Sequence, residues 1–338
     1  MKIPFLSVAM PVLLLGGIER GWGQDSIAIP GTPKGDLPTE LLQSRTYCRG
    51  IDWQLEAIEK RFPRLAVQVV AAKAAWQASP FWRAAAAIEA DLFAKAGDEA
   101  RSGLARADQQ MKDTAMKLVE IKTEGDAIGY LYQVEQRAKG KIEPAMVRGN
   151  LLWNYPPYNE APEKEFQAGF TDEITDVADG VAVTFQVPLS WKQEKSSTRG
   201  LMSFRNCYGH GNVWTTVLIQ PTANREGRPI SGQEAFDVYS EDYLRGEYAR
   251  LGIELKSFLK TKVNGMPALL FTREQLYEQL GTRATRAAEV IRAFSGMKMI
   301  SFQINTLGPE GAPTAATRIK KNEALFQLIG GSLRVEGK

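Results

Sequence analysis

The chain has 338 residues, enough for one large domain or two ordinary ones. Hydrophobic residues make up 44% and charged residues 24%, a globular balance that excludes global disorder, collagen-like repeats and a multi-span membrane protein. Lys and Arg exceed Asp and Glu by only 42 to 39, so no nucleic acid or anionic membrane is demanded as partner, and the single histidine, His210, excludes a histidine-rich metal site.

At the start of the chain, Lys2 precedes an apolar run over residues 3–17, followed by small residues at Gly21 and Gly23. This layout reads as a secretory signal peptide over residues 1–23. The run is shorter than the about 20 residues of a spanning helix, and Pro4 and Pro11 weaken it further as an anchor. The expected destination is export to the periplasm or beyond, with membrane contact only through this segment if it stays uncleaved. In an exported chain the two cysteines, Cys48 and Cys207, form a disulfide candidate. Such a bridge would close a long loop, worth about 4 to 5 kcal/mol on the chain-entropy account. The alternative is two buried, unpaired thiols.

Residues 24–143 form an expected helical unit, since from about residue 40 to 139 the chain is rich in Ala, Glu, Lys, Gln and Leu. Pro63 and Pro80 suit the first turns of new helices, with Ser79 placed as N-cap, and Phe81, Ala85, Ile88 and Leu92 form one apolar stripe. Leu104, Ala107, Met111, Thr114, Leu118, Ile121 and Ile128 then give a coiled-coil-like seam, weakened by Gly125. A long helix carrying it would fold back as an antiparallel hairpin or small bundle, the seam being filled within the chain or left to grip a partner helix. Residues 144–165 read as a Pro- and aromatic-rich linker without helical period. Its Trp153, Tyr155 and Tyr158, around Pro156 and Pro157, either form an extended recognition segment or pack on the next domain.

From residue 166 onward the pattern is that of strands. Asp172, Glu173, Asp176 and Asp179 read as a solvated acidic turn, with calcium binding as the rival reading. Val181, Val183, Phe185 and Val187 alternate with polar or small residues and end at Pro188, a half-buried strand. Residues 201–208 and 213–220 flank Gly209-His210-Gly211-Asn212 as a hairpin. A helix over residues 233–251, a strand over 253–263, a turn at Asn264-Gly265, a strand over 297–304 and a helix over 318–329 follow. The fold class is α+β, a helical hairpin or small bundle followed by an antiparallel sheet flanked by helices.

Four stretches of this half, GVAVTFQVPLSW around Val187, Pro188 and Trp191, VNGMPALLF from Val263, SGMKMISFQIN from Ser295 and EALFQLIGGSLRV from Glu323, together resemble the PsbP/Mog1-like family. The resemblance spans residues 166–338 and implies a curved antiparallel sheet between helices, used as a docking platform for another protein, without catalysis. No partner or metal residue of the family carries over to a matched position. By the family layout residues 276–293 are strands although their propensity is helical, and strands are expected there.

The sequence holds no phosphate-cradling loop, dinucleotide fingerprint or nucleophile elbow. Ser257 and Lys260 match a Ser-x-x-Lys tetrad but lie in an alternating strand pattern without its partner motifs. His210, between two glycines at a hairpin tip, reads as an exposed turn residue without an orienting carboxylate. Lys192, Lys195 and Arg199 read as a solvated loop. The expectation is therefore an exported, non-catalytic module that docks a protein partner in the bacterial envelope or outside the cell, with no catalytic, cofactor or metal residues. The alternatives are a carrier of a small apolar ligand held between sheet and helices and, third, an envelope hydrolase.

Overall fold

The computed structural model of the protein describes residues 36–95, 97–117, 121–178, 181–194, 201–224, 227–279, 282–309 and 314–336. The expected signal peptide and the side chains of Leu118, Asp179, Lys195 and Arg199 lie outside them. No described helix is long and apolar enough to cross a membrane.

The first half is helical, as its composition dictates: α1 (Leu37–Arg61), α2 (Ala66–Ala78), α3 (Pro80–Lys95), α4 (Asp98–Lys117) and α5 (Glu124–Ala138). The apolar stripes of α1, α2, α3 and α5 meet in one core around Ile51, Leu55, Trp76, Phe81 and Val134. The expected coiled-coil seam is not continuous. Thr123 and Asp126 form a capping box that starts α5 afresh after α4 has ended, so Gly125 lies in a helix first turn and Ile128 is half exposed.

The segment 144–165 departs from the expected linker. It folds into α6 (Ala145–Asn154), α7 (Pro156–Glu160) and α8 (Glu163–Gln167). Val147, Leu151 and Leu152 recur at four- and one-residue steps and enter the helical core, which the prolines obscured in the sequence. Pro156 and Pro157 sit in the first turn of α7, where a missing N–H costs nothing. Tyr155 and Tyr158 meet edge to face at 4.8 Å and pack back on the helical core.

Ten strands among the described residues follow or interleave with the remaining helices. A small sheet has the order β1-β2-β10, from β1 (Thr171–Ala178), β2 (Val181–Pro188) and β10 (Arg334–Glu336). The large sheet has the order β3-β4-β5-β9-β8-β7-β6, all antiparallel. Its members are β3 (Lys192–Glu194), β4 (Leu201–Arg205), β5 (Val213–Pro221), β6 (Ile253–Val263), β7 (Met266–Gln279), β8 (Thr282–Ser295) and β9 (Lys298–Pro309). The expected acidic turn is β1 itself, whose Thr171 to Ala178 pair residue by residue with β2. Residues 276–293 contribute to β7 and β8, so sheet pairing overrides their helical propensity.

One face of the large sheet packs against β2 and α11 (Thr314–Gly331), with Phe302 stacked on Phe326 at 5.0 Å. The opposite face carries α9 (Gly232–Val238) and α10 (Glu241–Ala249). These two replace the single helix expected over 233–251, because Ser240 caps a second helix start. Ile300, Phe302, Ile304, Leu325, Phe326 and Ile329 are essentially fully buried, so the interface between sheet and α11 is filled by the chain itself. Phe302→Ala is therefore expected to cost about 3–5 kcal/mol in denaturant unfolding, whereas Val67→Ala, at an exposed helical position, stays within about 0.5 kcal/mol.

Candidate functional site

The chain's polar chemistry gathers where the two halves meet. His210 is not solvated: its Nε2 lies 3.0 Å from Glu40 Oε2, a carboxylate presented by the first turn of α1, and its side chain is only 12% exposed. Asn150 of α6, fully buried, donates through Nδ2 to the same Glu40 oxygen at 3.3 Å. The orienting carboxylate thus exists, 170 positions away in sequence. The glycines on either side explain how the ring reaches it. Gly209 adopts φ +101°, and at Gly211 a Cβ would fall 1.7 Å from Asn206 Oδ1, so only glycine allows the turn to close on Asn206.

The same turn carries Cys207 and Tyr208, both in the left-handed region at φ 51° and 46°. The Tyr208 ring covers Gly149 so closely that a Cβ there would lie 2.3 Å from it, which lets α6 sit directly against the turn. Tyr208 N–H donates to the Ser190 carbonyl at 2.8 Å. Ser190 in turn donates from its own N–H (2.9 Å) and hydroxyl (2.6 Å) to the buried carboxylate of Glu165 in α8. Burial pushes the Glu165 carboxyl up to about 7, against the opposing pull of the Ser190 hydrogen bonds.

No disulfide joins the cysteines: both are free and buried. Cys207 is near Glu40, whereas Cys48 stands eight residues further along α1, its sulfur facing the Phe81 carbonyl. Eight residues of helix rise by about 12 Å, beyond the reach of a disulfide. Burial holds the Cys207 thiol up to about 12 and Cys48 well above its ordinary value, so neither is a ready thiolate. No Ser, Thr or Cys side chain among the described residues hydrogen-bonds His210, and the pair is arranged to fasten the halves together.

The remaining candidate residues stand apart from this junction. Asp172 faces Arg148 at 3.8 Å and Glu173 pairs with Arg334, both side chains exposed and, as neighbours in a strand, on opposite faces of β1. No cluster of three or more metal-ligating side chains occurs among the described residues. Ser257 bonds Thr272 across β6 and β7 at 2.7 Å, while Lys260 donates to the Phe236 carbonyl at 2.9 Å, so the tetrad's two groups serve different contacts. Lys192 lies over the Tyr208 ring at 5.2 Å.

A concavity lies elsewhere, between α1 and α3. It holds about 300 Å³ and is lined by Ala85, Ala86 and Ala90, by Trp82 and Phe93, and by Arg49, Asp52 and Glu89. Trp82 Nε1 donates to Asp52 at 3.1 Å, and Arg49 grips Glu89 at 2.7 Å. Burial raises the Asp52 carboxyl despite that hydrogen bond. Sequence reasoning missed Glu40, Asn150, Glu165 and Ser190; each is an ordinary polar residue in a local pattern that gives no hint of its distant partner.

No family model matches the chain, and no curated protein matches it in sequence. Over about half its length it is similar to solved structures of PsbP- and Mog1-like proteins, the families its strand motifs resemble. Cyanobacterial PsbP (CyanoP) from Synechocystis is 15% identical with a TM-score of 0.31, over 49% of this chain and 92% of that one. The Saccharomyces cerevisiae Ran-binding protein Mog1p is 12% identical with a TM-score of 0.32, over 48% of this chain and 94% of that one. LpqN, involved in cell envelope biogenesis of Mycobacterium tuberculosis, is 14% identical with a TM-score of 0.31, over 52% of this chain and 96% of that one. At these identities the likeness concerns the fold alone.

The junction makes stability depend on pH in a definite sense. The folded chain holds the Glu165 proton up to about pH 7, whereas the unfolded chain releases it near its ordinary 4.5. Between those values the folded state binds more protons, so its stability falls as pH rises, by on the order of 3 kcal/mol in total. Urea midpoints measured from pH 5 to pH 8 should decline in the wild type and decline less in Glu165→Gln, which is the more stable of the two at pH 8. Parallel profiles would show that the carboxyl is not held protonated.

Proposed function

We propose that the protein is an exported, non-catalytic binding module that docks a protein partner in the bacterial envelope or outside the cell. The carrying observation is the groove between α1 and α3. It is open and lined by Trp82, Phe93 and three alanines, with its charges already paired in part within the chain. Half-buried aromatic rings among small residues suit an inserted apolar side chain of a partner, the kind of anchor that dominates protein interfaces. The chain's histidine is meanwhile engaged in fastening two halves together, its junction cysteine is buried, and the deeply buried carboxylate of Glu165 is held by Ser190. Export rests on Lys2 and the apolar run that follows it.

The carrier alternative is not favoured. It needs space between the sheet and its helices, and the side chains at the α11 interface occupy that space.

A photo-crosslinking residue at exposed position Ala86 or Ala90, introduced in the native host, is expected to yield one discrete adduct with an envelope or extracellular protein. Trp82→Ala should abolish the adduct while the chain remains folded, and the recovered chain should lack residues 1–23. Absence of any adduct, or an unprocessed chain confined to the cytosol, would contradict the reading.

A further inference from the structure

Where this chain buries arginines, it normally supplies carboxylates. Arg45, 1% exposed, donates to Glu89 at 3.0 Å and in a two-pronged grip to Asp108 at 2.8 and 2.6 Å. Arg205 meets Glu194 at 2.5 Å. The face of the large sheet that carries α9 and α10 breaks this rule. Arg273 of β7 and Arg292 of β8 have no carboxylate within ion-pair distance among the described residues, and both are half-buried.

They are held by neutral groups instead. Arg273 donates to Gln303 Oε1 at 3.0 Å and lies 5.3 Å from the Tyr248 ring centre. Arg292 donates to the Tyr248 hydroxyl at 3.4 Å and lies 5.2 Å from the Tyr239 ring centre and 5.3 Å from that of Phe271. The Nε of each is buried without a partner. Arg286, diagonal to Arg273 across the strand pair, donates to Asn305 at 3.0 Å and lies 5.5 Å from the Trp214 ring centre. Three guanidinium groups are therefore braced on one face, and burial together with neighbouring Arg292 lowers the proton affinity of Arg273. Like charges fixed side by side in partial burial are unfavourable without a counter-charge.

A depression of about 10 Å³ opens between Arg273 and Arg286, bounded also by Ile253, Gln275 and Ala288. That volume admits about one oxygen-sized atom. Glu274 lies at its edge, but its carboxylate faces Lys256 at 3.5 Å. Edge strand β6 beside it adds Lys260 and Lys262, whereas its Lys256 is already paired with Glu254 at 2.8 Å. We propose that this arginine-braced face binds an acidic peptide segment, the carboxylates of its Asp or Glu side chains supplying the counter-charge that Arg273 and Arg292 lack. The planar fork of arginine matches a carboxylate, and an extended acidic strand would run beside the lysine-bearing edge. Single-stranded nucleic acid fits less well, because Tyr248, Phe271 and Trp214 are buried beneath the guanidinium groups and the partly buried Tyr239 ring is already packed against Tyr243 and Phe294.

This deepens the docking reading by giving a partner segment its chemistry, and it rests on that reading. Its test is nevertheless separate, since the groove between α1 and α3 is probed by crosslinking in cells and this face by a peptide in vitro. The full chain should be titrated calorimetrically at low and at 0.15 M salt with hexaglutamate, hexaglutamine, inorganic phosphate and oligothymidylate. Hexaglutamate should bind with an affinity that falls with salt, and hexaglutamine should not bind. The double variant Arg273→Gln, Arg292→Gln should weaken hexaglutamate binding at least tenfold, while Arg64→Gln, on the exposed helical surface, leaves it unchanged. Arg273→Gln alone should melt no lower than the wild type, since it removes a charge that the fold does not neutralise. Unchanged affinity in the double variant, phosphate or oligothymidylate binding as tightly as the peptide, or a loss of several degrees in Arg273→Gln would each overturn the proposal.

Discussion

The carboxylate of Glu40 is the point at which the helical half and the sheet half become one structure. It receives Asn150 from its own half and His210 from the other, and the turn that delivers His210 also lays Tyr208 over Gly149. On the sheet side Ser190 ties this turn to Glu165 of α8. Each of these buried groups, left without its partner, costs about 1–3 kcal/mol, so the contacts are favoured as a set and disfavoured singly. Two apolar cores, one around Trp76 and Phe81 and one around Phe185 and Phe302, are thereby joined through a polar seam. Phe170 strengthens the join by meeting Phe81 edge to face at 5.5 Å.

That arrangement governs what is left for recognition. An imidazole beside a carboxylate, and a cysteine three residues before it, would suggest nucleophilic chemistry in a list of residues. In the fold, the thiol is held protonated by burial and the imidazole spans a seam. The side chains that remain open to a partner are of a different kind: the aromatic rings lining the groove between α1 and α3, and the arginines on the sheet face that lack carboxylates. The contrast between Arg45, saturated by two acids, and Arg273, braced by an amide and a tyrosine ring, separates a charge used for folding from a charge available to something else.

Much of the sheet was legible because its strands carry period-two alternation, as in Val181, Val183, Phe185 and Val187, all of which are buried. The family pattern identified β7 and β8 as strands where alanine- and arginine-rich composition argued for helix; pairing on both sides decides such a segment, and propensity alone misleads. The failures have equally local causes. Acidic residues concealed β1, since an edge strand can carry charges on its solvent side. Prolines concealed α6 to α8, because a proline in a helix's first turn resembles a breaker. A seam counted in heptads ran through Thr123, which caps a new helix. Glu40, Asn150 and Ser190 were invisible because their partners are set by tertiary packing, and the same packing separates the cysteines that an exported chain would be expected to pair.

The central physical claim is that the two halves unfold as one unit because the seam through Glu40 and His210 couples them. Native-state hydrogen exchange tests it directly, by comparing amides of α1 at Ile51 and Leu55 with those of β9 at Ile300 and Phe302, all deeply buried. The account predicts one common opening free energy for both sets, equal to that of global unfolding. Helical amides that exchange through a separate, lower-energy opening while the sheet stays protected would contradict it.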